Sequence, residues 1–178
     1  MLAAVVLVAG CGQQETKRAN STREGKTCPR IAGAKALAWT DIQPLQTGGR
    51  LTFVTESVAV SGRAYVIQAS VTNRTGGAVD VQLYPAADRP EYEIGPESFG
   101  IAYREDASPG NIQTRKLINY RASVFEPPLP QTLAPGKTWR GRFCGSSRHI
   151  PEHHEWWIVY GDFIPGGHWV TDKTFATP

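Results

Sequence analysis

The feature that most constrains the fold of this sequence is an apolar/polar alternation with a period of two between Ala64 and Thr72. Apolar side chains occupy the odd positions from Tyr65 to Val71, and polar side chains such as Gln68 lie between them. Successive side chains of a strand point to opposite faces of its sheet, so the pattern predicts a strand with one face on a core. A helix needs apolar residues three and four positions apart, and we find no stretch with a clear spacing of that kind.

Several other segments have strand-like patterns and are separated by turns rich in glycine and proline. The further predicted strands are Leu51–Val60, Val79–Leu83, Phe99–Arg104, Ile112–Tyr120, Thr138–Cys144, Glu155–Asp162 and His168–Phe175. With 178 residues, of which 40% are hydrophobic, the chain has enough material for one domain and too little for two of ordinary size. The pattern therefore predicts an all-β, antiparallel sandwich over residues 28–178.

Local signals refine this prediction. The break at Asn73–Gly77 predicts that Ala64–Thr72 and Val79–Leu83 form a hairpin. Leu51–Val60 changes parity along its length, which indicates a bulge, and the more polar Ile112–Tyr120 is typical of an edge strand. Pro135-Gly136 predicts a type II turn.

The N-terminus carries a targeting pattern. Leu2–Ala9 is apolar, but eight residues reach only about 12 Å as a helix, too little to cross a bilayer. The last two residues of this run begin the sequence Val8-Ala9-Gly10-Cys11, which resembles the lipobox of bacterial lipoproteins. No lysine or arginine precedes Cys11. The resemblance implies that residues 1–10 are a lipoprotein signal peptide and that the Cys11 thiol takes a lipid. The expected location is extracytoplasmic, with the chain anchored to the bacterial cell membrane by that lipid.

Residues 11–27 are expected to be a tether. The stretch after Cys11 has no large apolar side chain, so it cannot bury enough surface to offset its ordering entropy. The sequence has three cysteines. Lipidation of Cys11 would leave Cys28 and Cys144, which can oxidise to a disulfide outside the cytoplasm. Two buried free thiols or a metal pair are the alternatives.

A family resemblance also appears in the domain. The strand ending in Val71-Thr72-Asn73, the glycine-rich turn after it and the later Leu133-Ala134-Pro135-Gly136 turn resemble the immunoglobulin-like β-sandwich domain of secreted lipoproteins of Gram-positive bacteria. That group is similar in architecture to a mycobacterial immunoprotective antigen. The resemblance implies a fold and a location and carries over no catalytic residues. The long insert 85–130 departs from a compact version of this domain.

Trp156 and Trp157 are candidate binding residues. Adjacent strand residues face opposite sides, so both indoles cannot enter one core. Either both faces of this strand are covered within the protein, or one face meets a partner, and Trp169 could extend such a surface. Arg140 and Arg142 share the outward face of their predicted strand and could meet anionic headgroups or wall polymers. The alternative is a solvated face with cross-strand ion pairs.

Histidines provide a second candidate site. The four are His149, His153, His154 and His168, and imidazole is a common ligand of zinc and copper. Pro151 lies within the first cluster, which indicates a loop without helical ligand spacing. The alternative is a solvated turn between two strands.

These observations favour a non-catalytic binding module at the cell envelope. The net charge of +3 is small and scattered, so it does not indicate a nucleic-acid partner. None of the common hydrolase, phosphate-loop or zinc-protease motifs occurs, and no cofactor is predicted. The expected partners are membrane lipid through Cys11 and an envelope protein or wall polymer. The alternative function is metal binding or metal delivery by the histidines.

Overall fold

The computed structural model describes residues 27–44, 49–80, 99–104, 117–152, 154–163 and 167–177. Within these ranges every regular element is a β-strand, every strand pairing is antiparallel, and no helix occurs. The predicted all-β antiparallel class is therefore confirmed. The predicted signal peptide and residues 11–26 of the predicted tether lie outside the described residues.

Twelve strands are described, in chain order. They are β1 Lys35–Pro44, β2 Arg50–Val60, β3 Ala64–Asn73, β4 Val79–Asp80, β5 Phe99–Arg104, β6 Leu117–Arg121, β7 Val124–Glu126, β8 Thr132–Leu133, β9 Thr138–Ser146, β10 Glu155–Phe163, β11 Gly167–Val170 and β12 Phe175–Ala176. The strand predicted from the alternation at 64–72 is thus present and is one residue longer.

The strands form two larger sheets and one short pair. The first sheet has the order β1-β2-β3-β9-β7, and the second has the order β11-β10-β5-β6, with β12 also pairing with β10. β4 and β8 pair with each other. β6 ends the order of the second sheet, which confirms the edge position predicted for Ile112–Tyr120 in its described part.

The inner faces of the two sheets share one apolar core. Phe53 of the first sheet stacks on Tyr160 of the second, with ring centroids 4.5 Å apart. Phe99 packs edge-on against Phe143, with centroids 5.3 Å apart. All four side chains are fully buried, and burying each contributes roughly 2–3 kcal/mol of hydrophobic stabilisation. The odd-numbered apolar residues of β3 point into this core, as the alternation predicted.

Two local predictions are confirmed. The register between β2 and β3 shifts between Thr55 and Ser57, which is the bulge indicated by the parity change. Gly136 has a φ of 72°, and the Lys137 N–H donates to the Ala134 carbonyl at 3.0 Å, as a type II turn requires.

The predicted hairpin between Ala64–Thr72 and Val79–Leu83 is wrong. β3 pairs with β2 and β9, whereas β4 pairs with β8. The Asn73 side-chain amide donates to the carbonyls of Gly77, at 2.8 Å, and Leu133, at 2.7 Å. These two bonds hold the chain after β3 beside β8, and Val79–Asp80 pairs there rather than with β3.

The predicted strand His168–Phe175 is interrupted, and its two pieces are β11 and β12, which both pair with β10. Thr171 bridges the interruption, because its hydroxyl accepts from the Ile158 N–H at 3.1 Å and its own N–H donates to the Ile158 carbonyl at 3.0 Å. β1 was not predicted. A bulge after Ala36 breaks its alternation, and Ala38 lies in the left-handed region with a φ of 51°.

Candidate functional site

A disulfide joins Cys28 to Cys144, with 5.7 Å between the two Cα atoms. The predicted cysteine pairing is therefore present. Both residues are buried, at 5% and 2% exposure. The bond fixes the start of the described chain on β9, whereas Cys11, the predicted lipidation site, lies outside the described residues.

Glu126 links the disulfide to the outer face of the first sheet. One carboxylate oxygen accepts from the Cys28 N–H at 2.8 Å, and the other accepts from Arg142 Nε at 2.8 Å. The Cys28 N–H and then the Arg142 guanidinium hold the pKa of Glu126 below its ordinary value. Arg142 is therefore committed to an ion pair inside the protein.

Arg140 is paired as well. Its guanidinium lies 2.9 Å from the Glu56 carboxylate of β2, two strands away across β3. Arg140 and Arg142 were candidates for contact with anionic partners, and both have carboxylate partners on this face. The arrangement matches the alternative of a solvated strand face with cross-strand pairs.

Trp156 is fully buried and forms part of the core between the sheets. Its indole packs edge-on against Tyr103, at 4.9 Å between centroids, and against Tyr120, at 5.5 Å. The candidate binding surface therefore does not include Trp156 as an exposed residue. Trp157 is only partly buried and faces the other side of β10, while the side chain of Trp169, in β11, is outside the described part of the structure.

The histidines have different surroundings. His149 and His154 are exposed, and His154 packs edge-on against Tyr103, with Nδ1 2.9 Å from the Glu152 carbonyl. His153 and the side chain of His168 lie outside the described residues. Among the side chains that are described, no three of the types His, Cys, Asp and Glu come together as a metal site.

An open depression of about 600 Å³ lies at the end of the first sheet, between the β2–β3 turn and the end of β9. It is lined by Arg63, Ser146, Ser147 and Arg148. We predicted a basic surface around Arg140 and Arg142 and did not single out Arg63. In the sequence, Arg63 is only a single arginine in the Ser61–Arg63 turn. Its proximity to Arg148 depends on the pairing of β3 with β9, so the sequence alone did not indicate this depression.

Asp41 of β1 is a buried carboxylate near the second sheet. Oδ1 accepts from the Asp172 N–H at 3.2 Å, and Oδ2 has no hydrogen-bond partner. Burial raises the pKa of Asp41 above its ordinary value. Beside it, the hydroxyls of Thr55 and Tyr160 bond to each other, which ties β2 to β10.

The residues described include no helix long and apolar enough to span a membrane. A scan of family models, a search of curated proteins and a search of solved structures each found no match to this chain.

Proposed function

We propose that this chain is a bacterial lipoprotein of the cell envelope. In this proposal a signal peptide of residues 1–10 is removed, Cys11 carries the lipid, and residues 11–27 tether a domain of residues 28–178 outside the membrane. The domain is an immunoglobulin-like β-sandwich that acts as a non-catalytic binding module for envelope components.

The observation that carries the proposal is the buried disulfide between Cys28 and Cys144. Protein disulfides form and persist in oxidising compartments and are rare in the cytoplasm of most bacteria. The pairing uses two of the three cysteines in the sequence and leaves Cys11, which follows the lipobox-like residues Val8-Ala9-Gly10. An exported domain with one remaining cysteine at its N-terminal side agrees with anchoring through that cysteine.

The two sheets and the buried tyrosines between them support the sandwich part of the proposal. Two antiparallel sheets with a shared aromatic core are the basis of an immunoglobulin-like sandwich. Burial raises the pKa of Tyr65 and of Tyr160. Both hydroxyls have internal partners, because Tyr65 donates to the Tyr120 carbonyl at 2.7 Å and Tyr160 bonds to Thr55. These tyrosines hold strands together, which is a structural use of their polar groups.

Intact-mass measurement of the protein extracted from membranes tests the anchor. The wild-type chain is expected to lack residues 1–10 and to carry added lipid mass, while Cys11→Ala carries none. The double variant Cys28→Ser/Cys144→Ser is the matched control, because it also removes cysteines but should keep the lipid. An unmodified wild-type mass, with the protein recovered from the cytoplasm, would contradict the proposal.

A further inference from the structure

The open depression at the end of the first sheet has the chemistry of an anion site. Its described lining residues are Arg63 and Arg148, which carry guanidinium groups, and Ser146 and Ser147, which carry hydroxyls. All of these can donate hydrogen bonds, and no carboxylate is among them. Arginine donors in a planar fork match the oxygens of a phosphate group.

The backbone holds the two arginines beside each other. The Ser147 N–H donates to the Arg63 carbonyl at 2.9 Å, and the Ile150 N–H donates to the Gly62 carbonyl, also at 2.9 Å. Ile150 is buried at 1% exposure, so it anchors the segment that contains Arg148 in the core. The backbone positions of both arginines are therefore set before any ligand arrives.

The two arginines also keep their charge available. In the described part of the chain neither Arg63 nor Arg148 forms an ion pair, whereas Arg140 and Arg142 do. The depression therefore combines two arginines that have no ion-pair partner among the described residues with two serines.

The depression lies beside the point where the tether joins the domain. Cys144, which holds Cys28, is two residues from Ser146 on β9, a separation of about 7 Å along a strand. The residues from Cys11 to Cys28 span at most roughly 60 Å when extended. A lipid on Cys11 would therefore keep this end of the domain within reach of the membrane surface.

We propose that the depression lined by Arg63 and Arg148 binds the phosphate groups of anionic phospholipids at the surface of the membrane. The inference rests on the proposed function, because the tether is what brings this end of the domain to the bilayer. The site is open and shallow rather than enclosed, which suits a layer of headgroups better than a single small ion. Polybasic surfaces bind anionic leaflets through this kind of attraction.

Vesicle co-sedimentation tests the proposal with the full chain carrying Cys11→Ser, at physiological ionic strength. The vesicles contain either phosphatidylcholine alone or phosphatidylcholine with phosphatidylglycerol. Arg63→Gln/Arg148→Gln should weaken binding to the anionic vesicles about 30-fold, since each arginine near an anionic surface contributes about fivefold. Arg50→Gln/Arg74→Gln is the matched control, because it removes the same charge from exposed arginines at the other end of the first sheet and should retain binding.

All variants keep residues 1–27, so any binding by the apolar N-terminus is equal among them and is measured on phosphatidylcholine alone. Equal losses in both double variants, or no preference for anionic vesicles, would overturn the proposal. Tighter binding of inorganic phosphate than of vesicles at the same phosphate concentration would assign the site to a soluble anion and overturn it too. Because every variant in this experiment carries Cys11→Ser, the vesicle binding is independent of lipidation. The mass measurement tests lipidation separately.

Discussion

The two ends of the first sheet differ in how their polar groups are satisfied. At one end Asn73 uses its side chain internally, because its amide donates to Gly77 and Leu133 and its oxygen accepts from the Thr75 N–H at 2.8 Å. At the other end, Arg63 and Arg148 have no carboxylate partner among the described residues. The Asn73 side chain therefore stabilises the fold at its end, whereas Arg63 and Arg148 are the donors that we propose for a phosphate at the other end.

The largest expected effect concerns the disulfide end. Cys28→Ser/Cys144→Ser should lower the free energy of unfolding by about 2–5 kcal/mol, because the bond closes a loop of 116 residues and its loss frees the unfolded chain. Urea denaturation of the oxidised wild type and the double variant measures the difference. The wild type under reducing conditions is the control and should match the variant. A loss below about 1 kcal/mol would show that the stability of the domain depends little on the disulfide.

Asn73→Ala probes the opposite end. The change removes three hydrogen bonds, including the buried one to the Leu133 carbonyl, so the free energy of unfolding should fall by about 2–4 kcal/mol. The urea midpoint should shift with an unchanged slope. Arg74→Ala, at the exposed neighbouring position, is the control and should change stability by less than about 0.5 kcal/mol. Equal effects of the two substitutions would show that the internal hydrogen bonds of Asn73 do not stabilise this end.

Asp41 gives the smallest expected effect and has a definite pH dependence. Its raised pKa means that the folded state favours the neutral carboxyl, so this group stabilises the fold at low pH. That contribution is lost as the pH rises through the raised pKa. Asp41→Asn keeps an acceptor for the Asp172 N–H and removes the charge, so it should raise the stability at pH 7 by about 1 kcal/mol or less.

Thermal unfolding at pH 7 and near pH 3.5 measures this effect. The advantage of Asp41→Asn over the wild type should shrink at the lower pH, where the wild-type carboxyl is also neutral. Glu56→Gln is a useful comparison, because Glu56 is paired with Arg140 on the outer face, whereas Asp41 is buried and one of its oxygens has no hydrogen-bond partner. A pH-independent difference between Asp41→Asn and the wild type would rule out titration of Asp41 as its cause.

Strands with strict alternation could be predicted from the sequence, and longer-range pairing could not. The run at Ala64–Thr72 identified β3 because its period reports which face is buried. The partner of Val79–Asp80 is β8, far along the chain, and no local signal encodes that pairing. β1 was not predicted because the bulge at Ala38 interrupts its alternation of apolar and polar residues.

The candidate site shows the same limit. Trp156 and Trp157 have similar apolar neighbours on either side, so the sequence could not decide which indole enters the core, and the structure places Trp156 there. Arg140 and Arg142 were identifiable as outward-facing, but their carboxylate partners lie on other strands. Arg63 meets Arg148 only because β3 pairs with β9.

The state of the three cysteines in the native protein tests the central claim most directly. Tandem mass spectrometry of a non-reduced proteolytic digest of protein extracted from cell membranes would report all three at once. We expect one crosslinked peptide that joins Cys28 to Cys144 and a separate peptide that begins with lipidated Cys11. Free thiols at Cys28 and Cys144, together with an unmodified Cys11, would contradict both the exported location and the membrane anchor.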